Sequence, residues 1–168
     1  MPQVHSVRFT HSAGRASRAP WPGVNYMRVR SALNHDSIAI SGLMSQLGYE
    51  TTYEVISENI KLFESSEFDN VFVVENSKAI ILGMISCHVI SLFHQSGACG
   101  RITSLVVSDS IRGKGIGKLL VEKAESFFKK KNCLRFEVTS GEHRKDAHEF
   151  YKSLGYNEDE RRFIKHNS

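Results

Sequence analysis

Residues 105–118 read L-V-V-S-D-S-I-R-G-K-G-I-G-K, and this stretch decides how the chain folds. Leu105, Val106 and Val107 have the character of a buried strand, and Ser108, Asp109 and Ser110 are turn formers. Gly113, Gly115 and Gly117 then remove side chains where backbone N–H groups point outward at a helix start. Such a loop attracts anions, because unpaired N–H groups and the helix dipole both favour negative charge. Arg112, Lys114 and Lys118 add positive charge around it. The stretch reads as a phosphate cradle between a strand and a helix.

Spacing selects the phosphate ligand. A nucleotide P-loop, G-x-x-x-x-G-K-[ST], would need glycine at 112 and a hydroxyl residue after Lys118, where Arg112 and Leu119 stand. A dinucleotide fingerprint, G-x-G-x-x-G, would need its third glycine at Lys118. The pattern that fits is [QR]-x-x-G-x-[GA], as Arg112-x-x-Gly115-x-Gly117. It resembles the pyrophosphate-binding motif of the GNAT family of N-acetyltransferases, which bind acetyl-CoA. A second stretch supports this, F-E-V-T-S-G-E-H-R-K-D-A-H-E-F-Y-K-S-L-G-Y over 136–156. Ala147, Phe150, Tyr151, Gly155 and Tyr156 match the alanine, F-Y pair and glycine-aromatic turn of that family's C-terminal motif.

Around these motifs the chain divides into alternating elements. Residues 27–32 alternate as a strand, and Asn34 or Asp36 can cap a helix with Ile38, Ile40, Leu43, Met44 and Leu47 on one stripe. Gly48 is its expected stop. A second helix is expected over 52–63 with Val55, Ile56, Ile60 and Phe63 inward. Strands follow over 71–74, over 79–93 with a bulge or bend at Gly83, and up to Val107. The helix after the glycine loop should turn Ile116, Leu119, Leu120, Ala124 and Phe127 to the core. A parallel strand at 134–138, a helix at 144–154 and a last strand at 162–165 complete the order.

Composition bounds the rest. The 168 residues are one domain's worth, 40% apolar and 24% charged, as in ordinary globular proteins. No apolar run approaches the roughly 18 residues of a membrane helix. The three cysteines, Cys87, Cys99 and Cys133, lack C-x-x-C spacing, so small buried side chains in a reduced compartment are expected rather than a metal site. Of 22 Lys and Arg, three arginines lie in residues 1–26 beside no acid, which leaves 19 basic against 18 acidic residues elsewhere. A nucleic-acid binder should carry its basic footprint on the folded surface, so that class is disfavoured. Residues 1–26 are expected to be a flexible extension and 27–168 a single acetyltransferase domain, cytoplasmic, with monomer and homodimer both open.

The resemblance implies a fold and a chemistry. The fold is α/β (α+β), a mixed and mostly antiparallel sheet of six or seven strands flanked by about four helices. Its fourth and fifth strands, about 101–107 and 134–138, would splay apart so that pantetheine lies between them. Acetyl-CoA is the implied co-substrate, held by Leu105, Val106, Val107, Arg112, Gly113, Lys114, Gly115, Ile116, Gly117 and Lys118, with Ala147 and Phe150 behind. A primary amine of a small molecule would attack the acetyl group directly in a ternary complex, with an N–H near Val107 polarising the carbonyl. Tyr151 is the implied acid for the departing thiolate.

The base is less defined, because family members often carry a glutamate on the fourth strand and Arg101-Ile102-Thr103-Ser104 has none. His88 is the leading candidate, beside His94, Glu137, His143, His148 or a water chain. The segment around 139–151 and the R-F-x-K ending also resemble aminoalkylphosphonate N-acetyltransferases. A phosphonate would call for cations such as Arg101, Arg144 or Arg162. The rivals are an aminoglycoside read by Glu50, Glu54 or Glu137, a protein or peptide acceptor, and a non-catalytic acyl-CoA-binding module.

Overall fold

The computed structural model describes residues 27–159 and 162–167. The expected extension over 1–26 lies outside the described residues. The elements run β1 (Arg28–Ser31), α1 (Ser37–Leu47), α2 (Tyr53–Glu64), β2 (Asp69–Glu75), β3 (Ile81–Ser91), β4 (Ala98–Val107), α3 (Ile116–Lys130), β5 (Cys133–Val138) and α4 (Lys145–Ser153). The sheet order is β1-β2-β3-β4-β5. The first three junctions are antiparallel and β4–β5 is parallel, joined across α3, so the sheet is mixed.

Period-two alternation gives the sheet two apolar faces, and each acquires a helical layer. Phe72, Val74, Ile85, Cys87 and Ile102 pack against Ile116, Leu120, Val121, Ala124 and Phe128 of α3. The intervening Val73, Met84 and Val106 pack against Ile40 and Leu43 of α1 and Ile60 of α2. Thr52 caps α2 by accepting the Val55 N–H, and Gly48 ends α1 at φ 93°, a left-handed conformation that side chains disfavour. Gly100 lies directly beneath the buried Phe128 ring, where an added Cβ would collide with it. Gly83 lies beside the register shift near Val74 and Glu75, and a Cβ there would come 2.8 Å from the Val106 carbonyl.

Several expectations are corrected. Five strands form among the described residues, in place of a mostly antiparallel sheet of six or seven. Residues 162–165 form no strand, and Phe163 and Ile164 are 91% and 62% exposed. Two adjacent apolar residues between cations specify no face, and a strand exists only where an edge pairs with it. On α3, Leu119 is exposed, and Phe128 takes the fully buried place expected of Phe127. The 3.6-residue period carries the core line through 116, 120, 124 and 128 and turns 119 outward. Ile38 and Val55 likewise face solvent, at the first turns of α1 and α2.

Candidate active site

The site begins where β4 and β5 part. Their register runs from Ala98 opposite Cys133 to Ile102 opposite Val138 and stops, while β4 continues to Val107. About 13 Å of strand edge, from Thr103 to Val107, therefore has no β5 beside it. Ladder alternation sets which groups that edge offers. Ser108 donates to the Leu82 carbonyl at 2.9 Å, and Met84 pairs with Val106 two residues on. Hydrogen-bonded and non-bonded pairs alternate along an antiparallel ladder. Leu105 and Val107, opposite Ile85 and Gly83, thus turn their N–H and C=O groups away from β3 and into the opening.

At the end of β4 the chain makes one 3-10 turn, Asp109–Ile111, and reaches the glycine loop. Gly113 and Gly115 adopt φ 76° and 79°, and among the described residues no atom beyond each glycine's chain neighbours lies within 4 Å of where its Cβ would stand. Gly115 caps α3 without a side-chain partner for the first N–H groups, those of Ile116, Gly117 and Lys118. Ile116 is itself buried, so it can offer only backbone. Val106 is the same case, its side chain packed among α1 and α2 residues. Arg112 is not a loose cation: it ion-pairs with Asp109 at 2.6 Å and donates to the Val107 carbonyl at 3.3 Å. Lys114 is exposed, and Lys118 lies 3.9 Å from Glu122.

Helix α4 forms the other wall. Phe150 reaches the start of α3, its ring tip 3.2 Å from where a Cβ on Gly117 would stand, so a side chain there would push the wall away. Phe150, Tyr151 and Tyr156 stack edge to face at 5.2 and 5.7 Å, and Ala147 sits half-buried on the same helix. Burial pushes the Tyr151 phenol up to about 12, with Arg144 pulling the other way, so the hydroxyl stays protonated. The end of α1 braces both walls: Gln46 accepts the Asp109 N–H at 3.0 Å, and the Leu47 carbonyl accepts from Arg144 at 2.7 Å.

On the α1–α2 face, cross-strand register lays four side chains in one row. Asp69 stands opposite His88, His88 opposite Arg101, and Arg101 opposite Glu137. This row lies beside the last paired rung before β4 and β5 separate. His88 Nδ1 is 2.8 Å from Asp69 Oδ1, and its Nε2 is 2.9 Å from Thr103 Oγ1. Thr103 occupies the position skipped in the β3–β4 register, a bulge that sets its hydroxyl beside both His88 and Ser86. Arg101 and Arg135 each bind Glu137 at 2.7 Å. Hydrogen bonds from Arg101 and then Arg135 outweigh burial and hold the Glu137 carboxyl down at about 2. Glu137 is therefore a spent carboxylate and a poor base.

Of the other base candidates, His148 binds the Gly141 carbonyl at 3.0 Å, while His94 and His143 are exposed on turns. His88 alone among these histidines sits in the row beside the opening. Arg144 is engaged with α1, and Arg162 is exposed beyond α4, so neither joins Arg101. Reading the sequence missed Asp69, Thr103 and Arg135. Their only local signal is polarity inside strand runs, and their convergence depends on register and a bulge.

Residues 43–156 match the family described as Acetyltransferase (GNAT) family. Aminoalkylphosphonate N-acetyltransferase of Salmonella typhimurium is 35% identical over 85 residues, covering 51% of this chain and 55% of that protein. Probable glucosamine 6-phosphate N-acetyltransferase of Drosophila melanogaster is 26% identical over 140 residues, 80% of this chain and 63% of that protein. The chain thus spans less than two thirds of the length of each relative. The solved glucosamine-6-phosphate N-acetyltransferase of Arabidopsis thaliana superposes with a TM-score of 0.73 at 22% identity, over 85% of this chain and 99% of that one. That likeness is one of fold.

Proposed function

Because this chain belongs to the acetyltransferase (GNAT) family, we propose that it moves an acetyl group from acetyl-CoA to the primary amine of a small molecule. The observation that carries this reading is the parting of β4 and β5 beside the glycine loop, which leaves the Leu105 and Val107 backbone facing an opening. The residues fit acetyl-CoA: the αL glycines leave open space at the start of α3, and Phe150 reaches that start from α4 with Tyr151 stacked on it. The co-substrate supplies an acetyl group activated as a thioester.

The chain's own residues supply the rest. N–H groups of Ile116, Gly117 and Lys118, with Lys114, bind pyrophosphate. Leu105 and Val107 N–H groups hold pantetheine and the acetyl carbonyl. The neutral Tyr151 hydroxyl gives its proton to the departing sulfur, and His88 accepts the proton that the entering ammonium must lose. Attack is direct. Cys87 and Cys99 are buried with their thiols pushed up to about 12 and about 11, first by desolvation, which suits neither to act as a nucleophile.

The acceptor in this reading carries an anionic group. Arg101 and Arg135 share one carboxylate, so the β4–β5 end of the row keeps one net positive charge on half-exposed side chains. That suits a phosphonate or phosphate, in keeping with the name of the Salmonella typhimurium relative. A polycationic aminoglycoside would meet no free carboxylate there, because Glu137 is already doubly paired. The test is thiol release from acetyl-CoA with 1-aminoalkylphosphonates against the matching neutral alkylamines and aminoglycosides. A kcat/KM at least roughly tenfold higher for the phosphonate supports an anion-reading acceptor site. Equal values for the neutral amine overturn it.

A further inference from the structure

We infer that Asp69 and Thr103 complete the base: Thr103 is the hydroxyl that meets the amine and passes its proton to His88, and Asp69 is a positioning residue that fixes the His88 tautomer. This deepens the acetyl-transfer reading and rests on it. Both ring nitrogens of His88 are already engaged, one by Asp69 and one by Thr103, and the ring edge packs on Phe63 of α2 at 5.1 Å. An incoming amine therefore cannot displace the ring to reach it. Thr103, by contrast, is exposed.

The hydrogen bonds run in one direction. A carboxylate only accepts, so Asp69 Oδ1 takes the Nδ1–H of His88, while its Oδ2 takes the Ser66 hydroxyl at 2.6 Å. Nε2 then bears the lone pair and accepts from the Thr103 O–H at 2.9 Å. Thr103 Oγ1 in turn accepts from the buried Ser86 hydroxyl at 2.7 Å, which leaves its second lone pair for a substrate N–H. The charged groups in the same cross-strand row are Asp69 on β2, Arg101 opposite His88 on β4, and Glu137 opposite Arg101 on β5. From α2, the Phe63 ring meets the imidazole edge to face.

The proton balance closes. A bound R–NH3+ donates to Thr103 Oγ1 as the Thr103 proton moves to His88 Nε2, leaving a neutral amine, an intact threonine and an imidazolium beside Asp69. The freed nitrogen pair forms the C–N bond, the C–S bond breaks, and the sulfur takes the Tyr151 proton. The nitrogen's surplus proton restores Tyr151, and His88 releases its proton to water.

The test reads the tautomer and the rate separately. With 15N-histidine in the full chain and no substrate, the neutral His88 ring should show Nδ1–H in the wild type. Asp69→Asn should abolish that preference. With acetyl-CoA and an aminoalkylphosphonate, Asp69→Asn and Thr103→Val should each lower kcat roughly tenfold to hundredfold with CoA affinity unchanged, and Thr103→Ser should restore most of it. A wild-type ring in the Nε2–H form, or a Thr103→Val protein with wild-type kcat, overturns the relay. An acetyl group found covalently on Thr103 after acetyl-CoA alone also overturns it, by making Thr103 a nucleophile. A wild type with the Nδ1–H signature that acetylates no amine overturns the acetyl-transfer reading instead, since the tautomer is measured without turnover.

Discussion

Gly115→Ala separates backbone strain from ligand blockage. Gly113, Gly115, Gly48 and Gly155 all sit at φ between 76° and 93°, and among the described residues no atom beyond the chain neighbours lies within 4 Å of an added Cβ. Alanine at any of the four should therefore cost the same left-handed penalty, about 1–2 kcal/mol, without a clash. That corresponds to a Tm lowered by about 2–4 °C per kcal/mol for a domain of this size. The four differ in what the methyl faces. At Gly48 and Gly155 it faces the end of a helix, whereas at Gly113 and Gly115 it enters the space before the first N–H groups of α3. If pyrophosphate occupies that space, each charge-assisted hydrogen bond lost is worth roughly 1.5–3 kcal/mol, so Kd for CoA should weaken roughly tenfold to hundredfold. The assay is calorimetric CoA titration of all four variants beside their melting curves. Matched melting losses with CoA affinity falling only at 113 and 115 bear out the loop. Equal affinity across the four would refute its assignment, because the strain would then be the whole effect.

Tyr151→Phe should lower kcat by roughly a hundredfold or more while CoA affinity changes little, since the ring and its stacking on Phe150 and Tyr156 remain; unchanged kcat removes it as the acid. With its phenol near 12, Tyr151 should also impose no loss of kcat on raising the pH to about 10, and a Tyr151-dependent fall below that would contradict its burial. Gly100→Ala should destabilise the fold by about 1–3 kcal/mol in urea melts, because its methyl meets the buried Phe128 ring, and a neutral result would place that ring elsewhere. Asp36 bears on acid stability. Its burial disfavours charge, yet bonds from Arg30 at 2.6 and 3.0 Å and from the Leu33 N–H hold its pKa below the usual value. A folded-state pKa lowered in this way gives stability that is present above the unfolded value and lost as pH falls through the folded one. Asp36→Asn should accordingly flatten the acid limb of a stability–pH curve, and an unchanged limb would assign it to other carboxylates.

The glycine loop, the element order and the α4 motif were legible because each is written in local spacing. Arg112-x-x-Gly115-x-Gly117 needs only six consecutive residues, and the αL angles at 113 and 115 are what glycines there allow. The row through Asp69, His88, Arg101 and Glu137 was not legible. His88 stands out as a histidine in a strand, but Asp69 and Thr103 meet it, and Arg135 meets Glu137, only through the register of four strands and the bulge at Thr103. Shifting any of those strands by one residue would turn its member to the other face. Pairing also explains the C-terminal miss. Arg162 to Lys165 has strand-like residue types, yet β5 closes the sheet without them. Arg112 shows a further limit, since spacing marks it as a phosphate cation and says nothing of its ion pair with Asp109 or its bond to the Val107 carbonyl.

In the proposed reaction, the opening between β4 and β5 delivers an acetyl group to an amine. CoA thiol release from acetyl-CoA, with and without an aminoalkylphosphonate, joined to mass analysis of the product, tests this transfer. Release that depends on the amine, with one N-acetyl product formed per thiol, is the expected result. Tight CoA binding without amine-dependent release, on phosphonates, polyamines, aminoglycosides and peptides alike, would contradict it and leave a binding module in its place.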